Sequence, residues 1–134
     1  MQEKKRIIVI GGSAAGPKAA AKARRFDEQA EITIIQKGPD LSMASCGYPY
    51  YVGGFFDDRN MLVSTPTGVV RDPKFYLNAK GIVARTETEA LKIDRQAKTV
   101  LVRDLKSGAE ELLPYDKLII AAGAIPRIPP IPGT

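Results

Sequence analysis

Two short runs of β-branched residues, Ile7-Ile8-Val9-Ile10 and Ile32-Thr33-Ile34-Ile35, show no alternation of apolar and polar positions. A strand covered on both faces reads this way, because neither side of the pleat meets water. Between the runs lies Gly11-Gly12-Ser13-Ala14-Ala15-Gly16, followed by an Ala-rich stretch from Lys18 to Phe26. Alanine is the best helix former, and Pro17 fits a first helical turn, where its missing N–H does no harm. The pattern predicts a strand, a tight turn, a helix and a second parallel strand.

The middle of the chain is less regular. The segment Leu41 to Val52 predicts a helix that begins near Ser42 and stops by Gly53-Gly54. Thr65-Pro66-Thr67-Gly68 predicts a turn. Asp72 to Lys80 predicts a short helix with Asp72 as N-cap and Pro73 in the first helical position. Ile82-Val83-Ala84 reads as a strand. Three more strands, Glu89 to Ile93, Thr99 to Arg103 and Glu110 to Leu113, are spaced for an antiparallel meander, with Lys106-Ser107-Gly108 turning between the last two. Leu118-Ile119-Ile120-Ala121-Ala122 predicts one more buried strand, ending at Gly123. The expected fold is three-layer α/β: a partial parallel sheet flanked by helices, with an antiparallel β-meander. Residues 1–123 form the folded unit. Residues 124–134, rich in proline, read as an extended connector, so the chain is expected to be the N-terminal part of a longer protein.

Composition narrows the chemistry. The 134 residues carry a formal charge of +5, one cysteine and no histidine. One cysteine excludes an internal disulfide framework and points to a reducing, cytoplasmic compartment. Without histidine, Ser-His-Asp and Cys-His catalysis within the chain are excluded, and a transition-metal site is not expected. No apolar run approaches the roughly 20 residues that cross a bilayer. The opening Met1-Gln2-Glu3-Lys4-Lys5-Arg6 precedes only four apolar residues and does not read as a signal peptide. Neither a membrane nor nucleic acid is expected as a partner. The mild positive charge has two readings, a solvated surface or a phosphate-bearing ligand.

The glycine-rich turn favours the ligand. Such a turn lets the backbone approach a phosphate and aims free helix N–H groups at it. Gly11 and Gly16 stand at the first and last positions of G-x-G-x-x-G, with Ser13 at the middle one. The acidic residue expected at the end of the second strand, which holds a ribose hydroxyl, is here Gln36, a neutral acceptor. A glycine-rich strand-to-helix turn without a ligand is the other reading.

Cys46, in Ser42-Met43-Ala44-Ser45-Cys46-Gly47-Tyr48-Pro49-Tyr50-Tyr51, is the candidate reactive group. A thiolate near a helix start would be stabilised by the helix. With no second cysteine, its oxidised form must be a mixed disulfide, a persulfide or a sulfenic acid. The plainer reading is a small buried hydrophobe. Lys18, Lys22 and Arg25, spaced by four and three, share one helical face. That face suits either solvent or the phosphates of a ligand. Tyr48, Tyr50 and Tyr51 either pack near a cofactor or enter the core, the core being expected for at least two.

Three segments together, Val9 to Gly16, Ser42 to Tyr51, and Tyr115-Asp116-Lys117-Leu118-Ile119-Ile120-Ala121-Ala122-Gly123-Ala124, resemble the flavin-dependent pyridine nucleotide-disulfide oxidoreductases. The branch resembled is the single-cysteine one, which holds coenzyme A-disulfide reductases, NADH oxidases and peroxidases, and persulfide or polysulfide reductases. Ala122 stands where the family usually has threonine, Gln36 where it has glutamate, and Ala14 where its peroxidases carry histidine. The resemblance implies a Rossmann-like FAD-binding unit. The FAD diphosphate would lie at Gly11, Gly12, Ser13, Ala14, Ala15 and Gly16, with the ribose at Gln36 and Lys37 beside it. Ala90 and the Ala121-Ala122-Gly123 turn would approach the cofactor. Coenzyme A would lie on Lys18, Lys22, Arg25, Ser42, Ser45 and Lys80. It further implies NAD(P)H bound by a domain outside this chain, a homodimeric parent, and reduction of a small disulfide, persulfide or polysulfide through Cys46, with no turnover by the chain alone. Two alternatives stand beside it: an NADH oxidase using a Cys46 sulfenic acid, and a nucleotide-binding module without redox chemistry.

Overall fold

The structure, a computed structural model, describes residues 4–133. Met1–Glu3 of the basic opening and Thr134 of the connector lie outside the described residues. In chain order the elements are β1 (Arg6–Ile10), α1 (Ala15–Phe26), β2 (Glu31–Ile35), a 3₁₀ turn (Ser45–Gly47), α2 (Tyr48–Val52), a second 3₁₀ turn (Arg59–Leu62), α3 (Pro73–Lys80), β3 (Val83–Arg85), β4 (Thr88–Asp94), β5 (Thr99–Asp104), β6 (Glu110–Pro114) and β7 (Lys117–Ile120).

Four strands form a parallel sheet in the order β3-β2-β1-β7, and three form an antiparallel sheet in the order β4-β5-β6. The uninterrupted apolar runs are explained by what covers each face. Ile7 and Val9 of β1 and Ile32 and Ile34 of β2 pack with Ala20 of α1 and Tyr76 of α3. Ile8 and Ile35, on the opposite face, pack with Val100, Val102 and Tyr115 beneath the meander. The period of two thus sends alternate residues into two separate cores. Ile34 is fully buried in the first core. Truncating such a residue to alanine typically costs about 2–5 kcal/mol.

The three-layer α/β expectation holds, with the predicted meander as the third layer. The Asp72 cap holds as well: its carboxylate accepts from Phe75 N at 2.7 Å, Pro73 opens α3, and Gly81 closes it in the left-handed region at φ 59°. The hairpin at Lys106-Ser107-Gly108 is set by Asp104, whose carboxylate accepts from the backbone of Lys106 and Ser107. Those N–H groups, Ser107's first, hold the Asp104 carboxyl below its ordinary range. β7 is shorter than expected, ending at Ile120. Ala121 still donates to Ile10 O at 2.7 Å, and the chain then leaves the sheet.

Candidate functional site

The glycines of the β1–α1 turn are needed by packing within the chain. Gly11 sits at φ 105°, and a Cβ there would lie 2.0 Å from the carbonyl oxygen of Ala121. A Cβ on Gly16 would lie 1.8 Å from Gly11 O, and one on Gly12 would press on Leu41 and Gln36. The turn is therefore wedged between the end of β7 and the start of α1. Ser13 fits because its side chain is exposed.

Gln36, at the end of β2, spends its amide oxygen inside the protein: Oε1 accepts from Gly12 N at 2.8 Å. This bond pins the turn to β2. The expectation that Gln36 serves a ribose as a simple acceptor is thereby modified. What it still offers a ligand is the amide NH₂ and the second lone pair of Oε1. A cavity of about 170 Å³ opens beside it, lined by Gly11, Gln36, Lys37, Ala90 and Ala122 among others. Lys37 is paired across its rim with Glu89 at 2.7 Å. Ala121 acts from beneath, through the carbonyl that covers Gly11, and Gly123 lies outside this lining at φ 70°.

On the other side of the turn lies a cavity of about 520 Å³. Ser13, Ala14, Lys18, Arg25, Ser42 and Lys80, all singled out from the sequence, line it. Two of the expected substrate residues do not. Lys22 turns away, its Nζ lying 4.6 Å from the centroid of the Phe26 ring. Positions 18 and 25 differ by only about 20° around a helix, whereas 22 is displaced about 40° to the other side. Ser45 is exposed on the 3₁₀ turn and outside the lining. Arg71, Thr65 and Tyr76 also line the cavity. No periodicity marks Arg71, which falls between a turn and a helix cap.

The segment carrying Cys46 departs from the expected helix. Ser42 adopts φ 54°, in the left-handed region, so no helix starts there. The helical path begins at Ser45, and α2 proper at Tyr48. Tertiary bonds impose this. Ser42 N donates to Gly12 O at 2.8 Å, and the Ser42 hydroxyl is hydrogen-bonded to the buried Tyr76 hydroxyl. Ala44 N donates to Leu62 O at 2.8 Å, and Gly47 lies so close to Leu62 that a Cβ would be 2.6 Å from it. Asp40, just upstream, is paired with Arg59, and this bond holds the Arg59 guanidinium above its ordinary range. Cys46 is exposed on this anchored loop, so the buried-hydrophobe reading does not hold. The core expectation for the tyrosines fails too. Tyr48, Tyr50 and Tyr51 are all exposed, with Tyr50 edge-on to Phe55 and Tyr51 tilted against Phe56. No described element packs over α2 to bury them.

An exposed cysteine thus stands on a loop bonded to a glycine-rich strand-to-helix turn, beside a cationic cavity. Comparison with known proteins places this arrangement. The family "Pyridine nucleotide-disulphide oxidoreductase" matches residues 5–134. The chain belongs to this family. A solved NAD-dependent persulfide reductase from A. fulgidus is 46% identical, with a TM-score of 0.90, over 94% of this chain and 23% of that one. A coenzyme A disulfide reductase of Staphylococcus aureus (strain JH9) is 37% identical over 89% of this chain and 26% of its own length. A water-forming NADH oxidase from Lactobacillus brevis is 31% identical, with a TM-score of 0.83, covering 97% of this chain and 27% of that one. The chain therefore spans about a quarter of the length of these relatives. No helix among its described residues is long and apolar enough to cross a membrane.

Proposed function

We propose that this chain is the flavin-binding N-terminal portion of an NAD(P)H-dependent enzyme that reduces a small disulfide, persulfide or polysulfide through Cys46, with coenzyme A-linked substrates foremost. The observation that carries the reading is the exposed, solitary Cys46. It lies on a loop whose Ser42 is bonded to Gly12 and whose Ser42, Met43 and Ala44 line the cationic cavity.

The residues fit FAD. Gly11 and Gly16 pack closely, Ser13, Ala14 and Ala15 are exposed, and no side chain caps the start of α1, where a diphosphate is favoured. Gln36, Lys37, Ala90 and Ala122 form the adjoining cavity for the nucleoside end. Bound FAD supplies two-electron transfer between a nicotinamide and sulfur.

The remaining chemistry belongs to the chain. The Cys46 thiolate attacks one sulfur of the substrate disulfide, so a Cys46–substrate mixed disulfide forms and one substrate thiolate leaves. Two electrons, originating in NAD(P)H, then cleave the mixed disulfide, regenerating the Cys46 thiolate and releasing the second substrate thiol. The sum is one NAD(P)H and one proton consumed, and one disulfide converted to two thiols. Lys18, Arg25 and Lys80 orient an anionic substrate, and the Gly12–Ser42 bond fixes the sulfur's loop relative to the cofactor turn.

The test is Cys46→Ser in the flavin-loaded enzyme. Disulfide reduction should fall to background, and undiminished reduction would refute the mechanism. The likeness to the NADH oxidase favours a second reading, in which Cys46 cycles through a sulfenic acid. Oxygen consumption in preference to disulfide consumption would establish that one.

A further inference from the structure

The larger cavity carries more positive charge than the α1 face accounts for. Lys18 and Arg25 come from α1, Lys80 from the end of α3, and Arg71 from the segment between the second 3₁₀ turn and α3. Among the described residues no carboxylate lines it. Among the described residues, the ion pairs engage Arg6, Lys37, Arg59, Arg85, Arg103 and Lys106, and none of these four. Six cations elsewhere are partnered with acids, while here four like charges share a space of about 520 Å³ with no acid among its lining. Gathered cations repel one another and raise the local potential for anions.

Arg71 is not there by helical spacing. Its backbone N–H donates to Val63 O at 2.9 Å, and the residue before it, Val70, bridges Ser64 in antiparallel fashion. Val63 and Leu62 are buried, so Arg71 springs from a stitched, anchored segment and is itself half-buried. Its guanidinium meets phosphate in a bidentate fork, which an ammonium cannot do. With Arg25 it gives the cavity two forks and two point charges. A single small thiol or an inorganic polysulfide has no use for that set. A thiol carried on a polyphosphorylated nucleotide does: its phosphate monoester alone carries about −1.5 to −2 charges, with a diphosphate further along.

We infer that Arg71 is a specificity-determining residue that selects polyphosphorylated thiol carriers, the coenzyme A class, over small uncharged disulfides. This rests on the reading that Cys46 reduces such a disulfide, and it adds a residue to the substrate set expected from the sequence.

The experiment compares wild type, Arg71→Gln, Arg71→Lys and Arg25→Gln as flavin-loaded enzymes. Two disulfides are used, that of coenzyme A and bis(2-hydroxyethyl) disulfide, and calorimetry follows adenosine 3′,5′-bisphosphate, which carries phosphates and no sulfur. In Arg71→Gln the ratio of kcat/KM for the charged over the neutral disulfide should fall about tenfold, the size of one charge-assisted hydrogen bond in a half-exposed site. Bisphosphate affinity should fall by a similar factor, and Arg71→Lys should recover only part of each. An unchanged ratio in Arg71→Gln, with a lowered one in Arg25→Gln, overturns the role of Arg71 and leaves the redox reading standing. If Cys46→Ser reduces disulfides as wild type does, the redox reading falls. The calorimetry then judges Arg71 alone, and equal bisphosphate affinity in Arg71→Gln and wild type overturns it.

Discussion

Replacing Gly16 with alanine tests the packing of the glycine turn by the sign of its effect. Gly16 lies in the first turn of α1, and glycine to alanine within a helix ordinarily stabilises by up to about 1 kcal/mol. Here the added Cβ would sit 1.8 Å from Gly11 O and 3.1 Å from Val9 Cγ1. Ordinary carbon–oxygen contacts lie at about 3.3–3.6 Å, so the turn must open by roughly 1.5 Å. The obstructing atom is backbone, itself fixed by the bonds of Gly11 N to Ile35 O and Gly12 N to Gln36. Overpacking of this kind costs typically about 1–3 kcal/mol. We expect net destabilisation of about 2 kcal/mol. At a urea slope near 2 kcal/mol/M, the midpoint should then fall by roughly 1 M. Gly108→Ala is the control: its φ is 73° and nothing lies within 4 Å, so only the left-handed conformation is penalised, by about 1 kcal/mol. A Gly16→Ala protein as stable as wild type, or more so, would refute the claim that close approach requires this glycine.

Two further outcomes follow from single side chains. Arg24 donates to the carbonyls of Glu28 at 2.6 Å, Gly81 at 2.8 Å and Lys80 at 3.2 Å, closing the ends of α1 and α3 together. Arg24→Met keeps the apolar stem and should cost about 2 kcal/mol in urea unfolding; a loss below about 0.5 kcal/mol would show the clamp to be idle. The Arg6 backbone N–H, at 2.7 Å, and then the Arg6 side chain hold the Asp116 carboxyl below its ordinary range. A depressed folded pKa adds stability above the unfolded value of about 3.9 and loses it as pH falls through the folded one. Asp116→Asn should therefore lower the urea midpoint at pH 6 and flatten its decline toward pH 3, and parallel declines would contradict the linkage.

Local chemistry explains what was legible in the sequence. The unbroken Ile7–Ile10 and Ile32–Ile35 runs announce burial on both faces. Asp72-Pro73 with Gly81 carries both ends of α3 in three residues. Most of what escaped was set by contacts distant in sequence. Nothing near Ser42 encodes the Gly12 carbonyl or the Tyr76 hydroxyl that hold it left-handed, so the helix was expected three residues early. Arg71 reaches the cavity because Ser64 and Val70 pair, which no spacing rule reveals. Lys22 obeys the same spacing as Lys18 and Arg25, yet Phe26, four residues on, offers its ring. The strand, turn and helix around Gly11 to Gly16 were legible because β1 and α1 flank the turn in one contiguous stretch.

The six residues from Gly11 to Gly16 are a wall with a cavity on each side, Gly11 facing the smaller one and Ser13 and Ala14 the larger. Its glycines leave no slack. An occupant that displaces this wall from one side reshapes the chamber on the other. Thermodynamic reciprocity then applies: whatever factor a nucleotide in the first chamber imposes on anion binding in the second, the anion must return in equal measure. Any coupling between the two chambers would run through this one short, tightly packed partition.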